Sequence, residues 1–314
     1  MPQVRGYKSF VAFDFESTFG QDPGTPDLKK LPINSSSLSR KIELEENPAM
    51  QGSRSMSEPF QGLNDVGGSL DLPLWVEQIG FALRAMFGAP NTTGAGPYTH
   101  VFKEGPDQPS MVIEQGYPEI PQYQKFNGCK VNGWSMNVSS DQIGINTTLD
   151  ILGASEGFAA ASIDATPTDF AEDRFLFRNA AIQQGGVNLA NCTNFDFNIG
   201  FNLDEKYSIG GGGNRGSLTE GAMSIDGNLS ILFENMTLLN LAIAGTKTTL
   251  RLTFTQGANS LDLYFPVVKF TVKTPDLSQS KAGVMVDLGW KASYDGVTEN
   301  SAIVATLINN ESAY

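Results

Sequence analysis

The sequence predicts a mainly β (α+β) fold built as two tandem β-barrel or sandwich units, each flanked by one α-helix. Three observations predict it. Thirty-three glycines, 20 phenylalanines and 40% apolar residues against 18% charged ones describe a chain with a sizeable core and many turns. Apolar residues alternate through many short segments, the period of half-buried strands. One order of elements (strand, loop, strand, helix, hairpin, hairpin) occurs twice, about 160 residues apart. At 314 residues the chain suits two domains.

The first unit is expected over residues 1–155. Tyr7 to Ser17 alternates as a strand, with Val11, Phe13 and Phe15 on one face and Asp14 and Glu16 on the other. Residues 20–61 are polar, rich in Pro, Ser and Gly, and lack a steady period, so they read as a long irregular segment, functional or disordered. Leu63 to Leu70 leads as a strand into the clearest helix, which lies within Gly67 to Gly88. Leu72, Trp75, Val76, Ile79, Leu83, Met86 and Phe87 give it an apolar face; Asp71 is its expected N-cap, Pro73 its first turn, Gly88 its stop. Strands follow near Thr99 to Lys103, Ser110 to Gln115, Tyr123 to Val138 and Ile143 to Leu152.

The second unit is expected over 156–293, after a small, Ala-rich boundary. It contains strands near Phe175 to Ile182, Asn191 to Leu203 and Ala222 to Leu229, a glycine loop at Tyr207 to Gly216, a helix over Ser230 to Ala244, and strands from Thr248 to Ala292. GGSL (67–70) corresponds to DGNL (226–229), and VAFDFESTF (11–19) to TNFDFNIGF (193–201). Residues 294–314 form a C-terminal tail, too short for an appended domain.

A net charge of −13 argues against a basic nucleic-acid reader. Cys129 and Cys192 fit no metal spacing and are expected as reduced thiols. No apolar run reaches membrane-helix length, and the first residues lack the apolar core of a signal peptide, so folding in cytosol is expected. Asp14 and Glu16 share a strand face, as do paired carboxylate ligands of a metal-dependent 3′–5′ exonuclease. That chemistry needs more aspartates and a His or Tyr. The single histidine, His100, has no fitting Asp after it, and the second copy carries Asp196 and Asn198. The glycine run at 210–216 fits G-x-G-x-x-G but leads into a strand rather than a helix, so it reads as a hairpin tip. No catalytic, cofactor or metal site is predicted. A duplicated, acidic, β-rich chain of this kind suits a building block.

The stretches SRKIELEENPAMQGSRSMSEPFQGLNDVGGSLDLPLWVEQIGFALRAMFG, GPYTHVFK and YQKFNGCKVNGWSMNVS, followed by GGGGNRGSLTEGAMSIDGNLSILFENMTLL and LDLYFPVVKFTV, occur in an order that resembles the tail tube proteins of long, non-contractile-tailed bacteriophages (siphophages). The resemblance spans roughly Tyr7 to Ser293. It implies a structural virion protein that self-assembles into stacked rings. Two units per chain then imply three chains in a pseudo-sixfold ring, with hexameric rings as the alternative. It implies an acidic lumen through which phage DNA passes without specific binding, with Asp14, Glu16 and Asp196 as lumen candidates. The long loop, through Arg40, Glu43, Glu45, Glu46 and Arg54, is implied in contact between rings, and the C-terminal tail with it. The short loop of the second copy (Asp204 to Ser217) is expected to make no equivalent contact. Implied partners are the chain itself, the tape measure protein in the lumen, the tail terminator and the tail-tip proteins, with assembly in the host cytoplasm and no membrane insertion. A tail terminator or type VI-like tube ring, the nuclease, and a monomeric binding module are the alternatives.

Overall fold

The computed structural model describes residues 3–273 and 283–314. Met1 and Pro2 of the first expected unit and 274–282 of the second lie outside the described residues. Strands make up 53% and helices 8%, so the mainly β class stands.

In chain order the first half runs β1 (Phe10–Phe15), β2 (Lys29–Leu31), β3 (Ser35–Ser36), β4 (Ser39–Asn47), β5 (Ser57–Pro73), α1 (Gln78–Phe87), β6 (Asn91–Thr93), β7 (Tyr98–Lys103), β8 (Met111–Tyr117), β9 (Gln122–Ser139), β10 (Asn146–Gly153) and β11 (Ser155–Ala159). The second runs β12 (Ala180–Gln184), β13 (Val187–Asn188), β14 (Cys192–Gly200), β15 (Asp204–Tyr207), β16 (Arg215–Thr219), β17 (Ser224–Leu232), α2 (Thr237–Ala244), β18 (Thr248–Gln256), β19 (Asn259–Phe270), β20 (Met285–Ala292) and β21 (Val304–Asn309). Neighbours pair antiparallel in the order β1–β8–β9–β10–β5–β4, and further along in the order β12–β18–β19–β20–β17–β14.

The strand β9 organises the molecule. Along one edge it meets β8 over its first half and β14 over its second; β10 and β11 share the other edge. It bends at Gly128, where the pairing with β8 slips and φ is +64°, a conformation that suits glycine. Two layers result. One is β2–β1–β8–β9–β11. The other is a wall of eight strands, β4–β5–β10–β9–β14–β17–β20–β19. Phe13 and Ile113 of the first layer and Leu70, Leu149 and Ile151 of the wall close on Phe81, Ala82 and Ala85 of α1. Further along, Trp134 meets Phe197 edge-on at 4.9 Å and Trp290 stacks on Phe195 at 5.5 Å, so one core runs through both halves.

Several expectations change. The first helix begins at Gln78, not at Asp71. Asp71 and Pro73 belong to β5, paired with Thr148 and Asn146, and Leu70 and Leu72 point into the core at strand spacing. The pairing of β5 with β10 and the backbone bonds of Leu74 and Val76 to Ile145, Phe175 and Asp173 outweigh the helical reading of Leu72 to Val76. The second helix starts at Thr237, because Ser230 to Leu232 pair with β20. Residues 39–66 are not an irregular loop: β4 and β5 form a long antiparallel arm whose tip spans 48–56. Both faces of the arm are mostly exposed, so burial imposed no alternation on its sequence. Asp204 to Thr219 forms an arm of its own. Val11–Phe19 and Thr193–Phe201, alike in sequence, occupy different places. β1 lies between β2 and β8, whereas β14 lies between β17 and β9. Alternating phenylalanines encode a buried face, not the identity of neighbours.

The expected C-terminal tail is internal. β21 is inserted between β19 and β7, and Tyr314 lies against α1, its hydroxyl donating to the Glu77 carbonyl at 2.7 Å. The Gly80 hydrogen faces the Tyr314 ring, and a Cβ there would overlap it. Gly80→Ala is therefore expected to lower stability by about 1–3 kcal/mol, the cost of overpacking, read as a lower melting temperature that Tyr314→Ala in the same chain partly restores.

Candidate assembly interface

The wall has one apolar and one polar face. Trp134, Met136, Phe195, Phe197, Ile199, Leu229, Leu288 and Trp290 are buried on the first. Strand alternation then sends Asp71, Asp150, Asp196, Asp226 and Asp287 to the other, with Ser135, Asn137, Asn198, Asn228 and the lysines Lys269 and Lys291. These residues adjoin across strands: Asn137 pairs with Asp196, Asp196 with Asn228, Asp226 with Lys291. Five carboxylates against three lysines, Lys273 on Asp287 being the third, make this face acidic. Burial lifts the Asp150 carboxyl above its ordinary range, while the Ser230 hydroxyl and Lys273 hold Asp287 below it.

Among the described residues the wall ends in two open edges. β4 pairs only with β5, and β19 loses β18 as a neighbour beyond Val268. An open edge presents unpaired backbone donors and acceptors and invites another strand. Within the chain such a junction already exists, since β14 adds to β9 over Asn194 to Gly200.

A second contact accompanies that junction. The tip of the β15–β16 arm rests on the base of the β4–β5 arm. Asn64 donates to the Gly213 carbonyl at 2.9 Å, and the Tyr207 hydroxyl donates to the Asn64 carbonyl at 3.1 Å. Arg215 is buried there. Its Nη1 donates to the carbonyls of Val66 and Gly153, at 2.5 and 2.8 Å, and Nη2 pairs with Asp65 and Glu205. Burial opposes its charge, and the two carboxylates together outweigh that, so its pKa lies above the ordinary value. Sequence reading missed Arg215; its signal was an arginine two residues after a glycine in an otherwise uncharged glycine run.

The residues singled out from sequence are dispersed. Asp14 and Glu16 sit in the first layer, not on the wall with Asp196. Asp14 accepts from the amides of Phe15 and Asp27 at 2.7 and 2.9 Å; Glu16 accepts from those of Gly20 and Gly128, both at 2.8 Å. Each carboxylate fastens a loop. Among the described residues no group of three or more His, Cys, Asp and Glu could hold a metal ion. His100 is fully buried, bonded to Thr92 and to the Glu311 carbonyl at 2.8 and 2.9 Å. Arg40 is paired with Glu156 at 3.0 Å, while Glu43, Glu45, Glu46 and Arg54 are exposed on the arm. Cys129 is buried and Cys192 half-buried, its thiol pushed up to about 11 by burial.

Burial raises the Glu16 carboxyl above its ordinary value, against the pull of the Gly128 and Gly20 amides. A raised carboxyl favours the folded state in its neutral form. Its contribution is full below the ordinary glutamate pKa and is lost as pH rises through the folded value. Carboxyl NMR titration of Glu16 is expected to show a midpoint above that of an exposed glutamate; a midpoint below it would refute this sign.

The family described as phage tail tube protein matches residues 6–292, nearly the whole chain. The chain belongs to the phage tail tube protein family. A tail tube protein is a structural component of the virion tail that associates with copies of itself into a tube. No curated protein matches the chain. No helix among the described residues is long and apolar enough to cross a membrane.

Proposed function

We propose that this tail tube protein closes into rings of three chains, which stack into the tube, and that the acidic face of the wall lines the lumen. The observation that carries the reading is the junction of β14 with β9. Two runs of strands with one pairing order, β1–β8–β9–β10–β5–β4 and β12–β18–β19–β20–β17–β14, meet there edge to edge. We read the runs as duplicated units, with β12 rather than β14 the counterpart of β1. β14 is then the counterpart of the β3–β4 strand, whose free edge in one copy meets the open edge of β19 in the next. The same junction, repeated, closes the ring without a new kind of contact.

Strand arithmetic favours three chains over six. Strands spaced about 4.8 Å apart and tilted by about 40° give a barrel roughly 50 Å across at the backbone for three walls of eight, and twice that for six. The smaller barrel leaves a lumen that still passes a DNA duplex. Asp71, Asp150, Asp196, Asp226 and Asp287 repel phosphate, so DNA and the tape measure protein pass without the salt-sensitive grip of a basic groove. Asp14 and Glu16, in the other layer, have no part in it. The exposed Glu43, Glu45 and Glu46 of the arm, with the exposed Met50 and Met56, are assigned to contact with the next ring. The tail terminator and the tail-tip proteins would meet the two ends of the stack, which is assembled in the host cytoplasm.

Negative-stain electron microscopy with mass photometry at rising concentration tests the reading. Rings with the mass of three chains, or striated tubes, are expected. Rings of six chains would overturn the duplication. A monomer at every concentration would overturn unaided ring closure. In virions, Asp196→Lys with Asp226→Lys is expected to leave tubes intact and slow DNA ejection.

A further inference from the structure

The buried Arg215 has a counterpart with nothing to bind. Each arm carries a glycine of positive φ two residues before an arginine: Gly52 at +72° before Arg54, and Gly213 at +81° before Arg215. Both arginines have similar offsets in sequence from strands of the wall. Twelve residues separate Arg54 from Val66, and ten separate Arg215 from Ile225. Yet Arg215 is buried among four acceptors, whereas Arg54 is exposed and, among the described residues, makes no hydrogen bond or ion pair.

The receiving site is duplicated as well. Val66 and Gly153, whose carbonyls accept from Arg215, are cross-strand partners two residues from the pair Gly68–Ile151. In the second half Gly227 pairs with Trp290, and two residues away Ile225 pairs with Ala292. Ile225 and Ala292 thus occupy the positions of Val66 and Gly153. Ser224 stands where Asp65 stands, and on the arm Asn47, opposite Ser57 three residues after Arg54, stands where Glu205 does, opposite Leu218 three residues after Arg215.

We infer that Arg54 of one chain docks on the second half of a neighbouring copy in the same ring, donating to the carbonyls of Ile225 and Ala292 beside Ser224, as Arg215 does within the chain at Val66 and Gly153. The inference rests on the proposed ring closure and names its partner surface. It moves Arg54 from contact between rings to contact within one. The two clamps differ in two respects, the first being that Asn47 stands where Glu205 supplies a carboxylate. Ser224 supplies a hydroxyl where Asp65 supplies a carboxylate, so the contact between chains is the weaker and the more easily made and broken during assembly.

Arg54→Ala and Arg54→Lys test it, compared with the unaltered chain by mass photometry and by melting. Arg54→Ala is expected to raise the concentration needed for rings about ten- to a hundred-fold, the worth of charged hydrogen bonds at an interface. The melting temperature of the dispersed chain stays unchanged, because the residue is exposed. Arg54→Lys, which keeps charge but not the fork, recovers only part of the loss. In rings, Arg54→Cys with Ser224→Cys is expected to form disulfides between chains, ending in a closed trimer on a non-reducing gel; neither single variant does so. Rings that form equally well with Arg54→Ala, or that give no such disulfide, overturn the inference and leave the ring standing. No rings from the unaltered chain at any concentration overturn the ring, and this contact with it.

Discussion

Deleting Ile303 to Tyr314 is expected to abolish soluble folding. These twelve residues follow the region expected to hold the second unit, and a surface tail could be removed without loss. The structure places β21 between two strands and most of its side chains in the core. β21 pairs on one edge with β19, Ser260 to Tyr264 against Val304 to Ile308, and on the other with β7, Tyr98 to Lys103. Ile303, Val304, Ala305, Leu307 and Tyr314 are buried. Each large apolar side chain among them is worth about 1.5–3 kcal/mol by burial alone, and a whole domain is stable by only about 5–15 kcal/mol. The deletion would also strip backbone partners from two strands, and the Asn309 amide that holds the Val76 carbonyl at 2.9 Å at the entry to α1. Expression and circular dichroism check the prediction. A truncated chain that melts cooperatively near the temperature of the full chain would refute it.

Arg215→Ala is expected to cost roughly 2–4 kcal/mol, mostly the two charged hydrogen bonds to the Val66 and Gly153 carbonyls, since Asp65 and Glu205 are themselves exposed. Two backbone carbonyls lose their donor, and Asp65 and Glu205 are left facing each other without a cation. For a chain of this size that corresponds to a fall in melting temperature of roughly 5–15 °C. Arg215→Lys is expected to recover the charge but not both carbonyl bonds, and so to fall between. Raised salt should mimic only part of the loss, because it screens the exposed Asp65 and Glu205 but leaves the buried Arg215 bonded to two carbonyls. A melting temperature within a degree of the parent would show that the arms hold together without the clamp. Arg54→Ala, by contrast, is expected to leave melting alone and change assembly, so the paired arginines separate folding from association.

The strands were legible wherever one face is buried. Phe195, Phe197 and Ile199 alternate with Asn194, Asp196 and Asn198 and could be read as a strand with a polar face from sequence alone. The β4–β5 arm was not legible, since neither of its faces is covered in one chain. Nor was the start of α1, where Leu72 to Val76 satisfies both periods and the pairing of β5 with β10, continued by the Leu74 and Val76 amides on the Ile145 and Asp173 carbonyls, decides. The candidate carboxylates fared similarly. The alternation that put Asp14 and Glu16 on one face of a strand gave no sign that loop amides would close over that face.

Composition, alternation, the helix stops at Gly88 and Gly245, and the order of motifs by themselves determined a mainly β chain of the tail tube family. These are local properties, fixed by the φ that glycine permits and by which side of a strand is apolar. Only the tertiary structure decided which strands are neighbours: that β14 adds to β9, that β21 is internal, and that Arg215 is clamped while Arg54 is exposed. The physical reason is that a strand's sequence specifies its buried face, whereas its edges carry the same backbone donors and acceptors whatever the side chains. Neighbours are therefore chosen by the packing of the whole molecule.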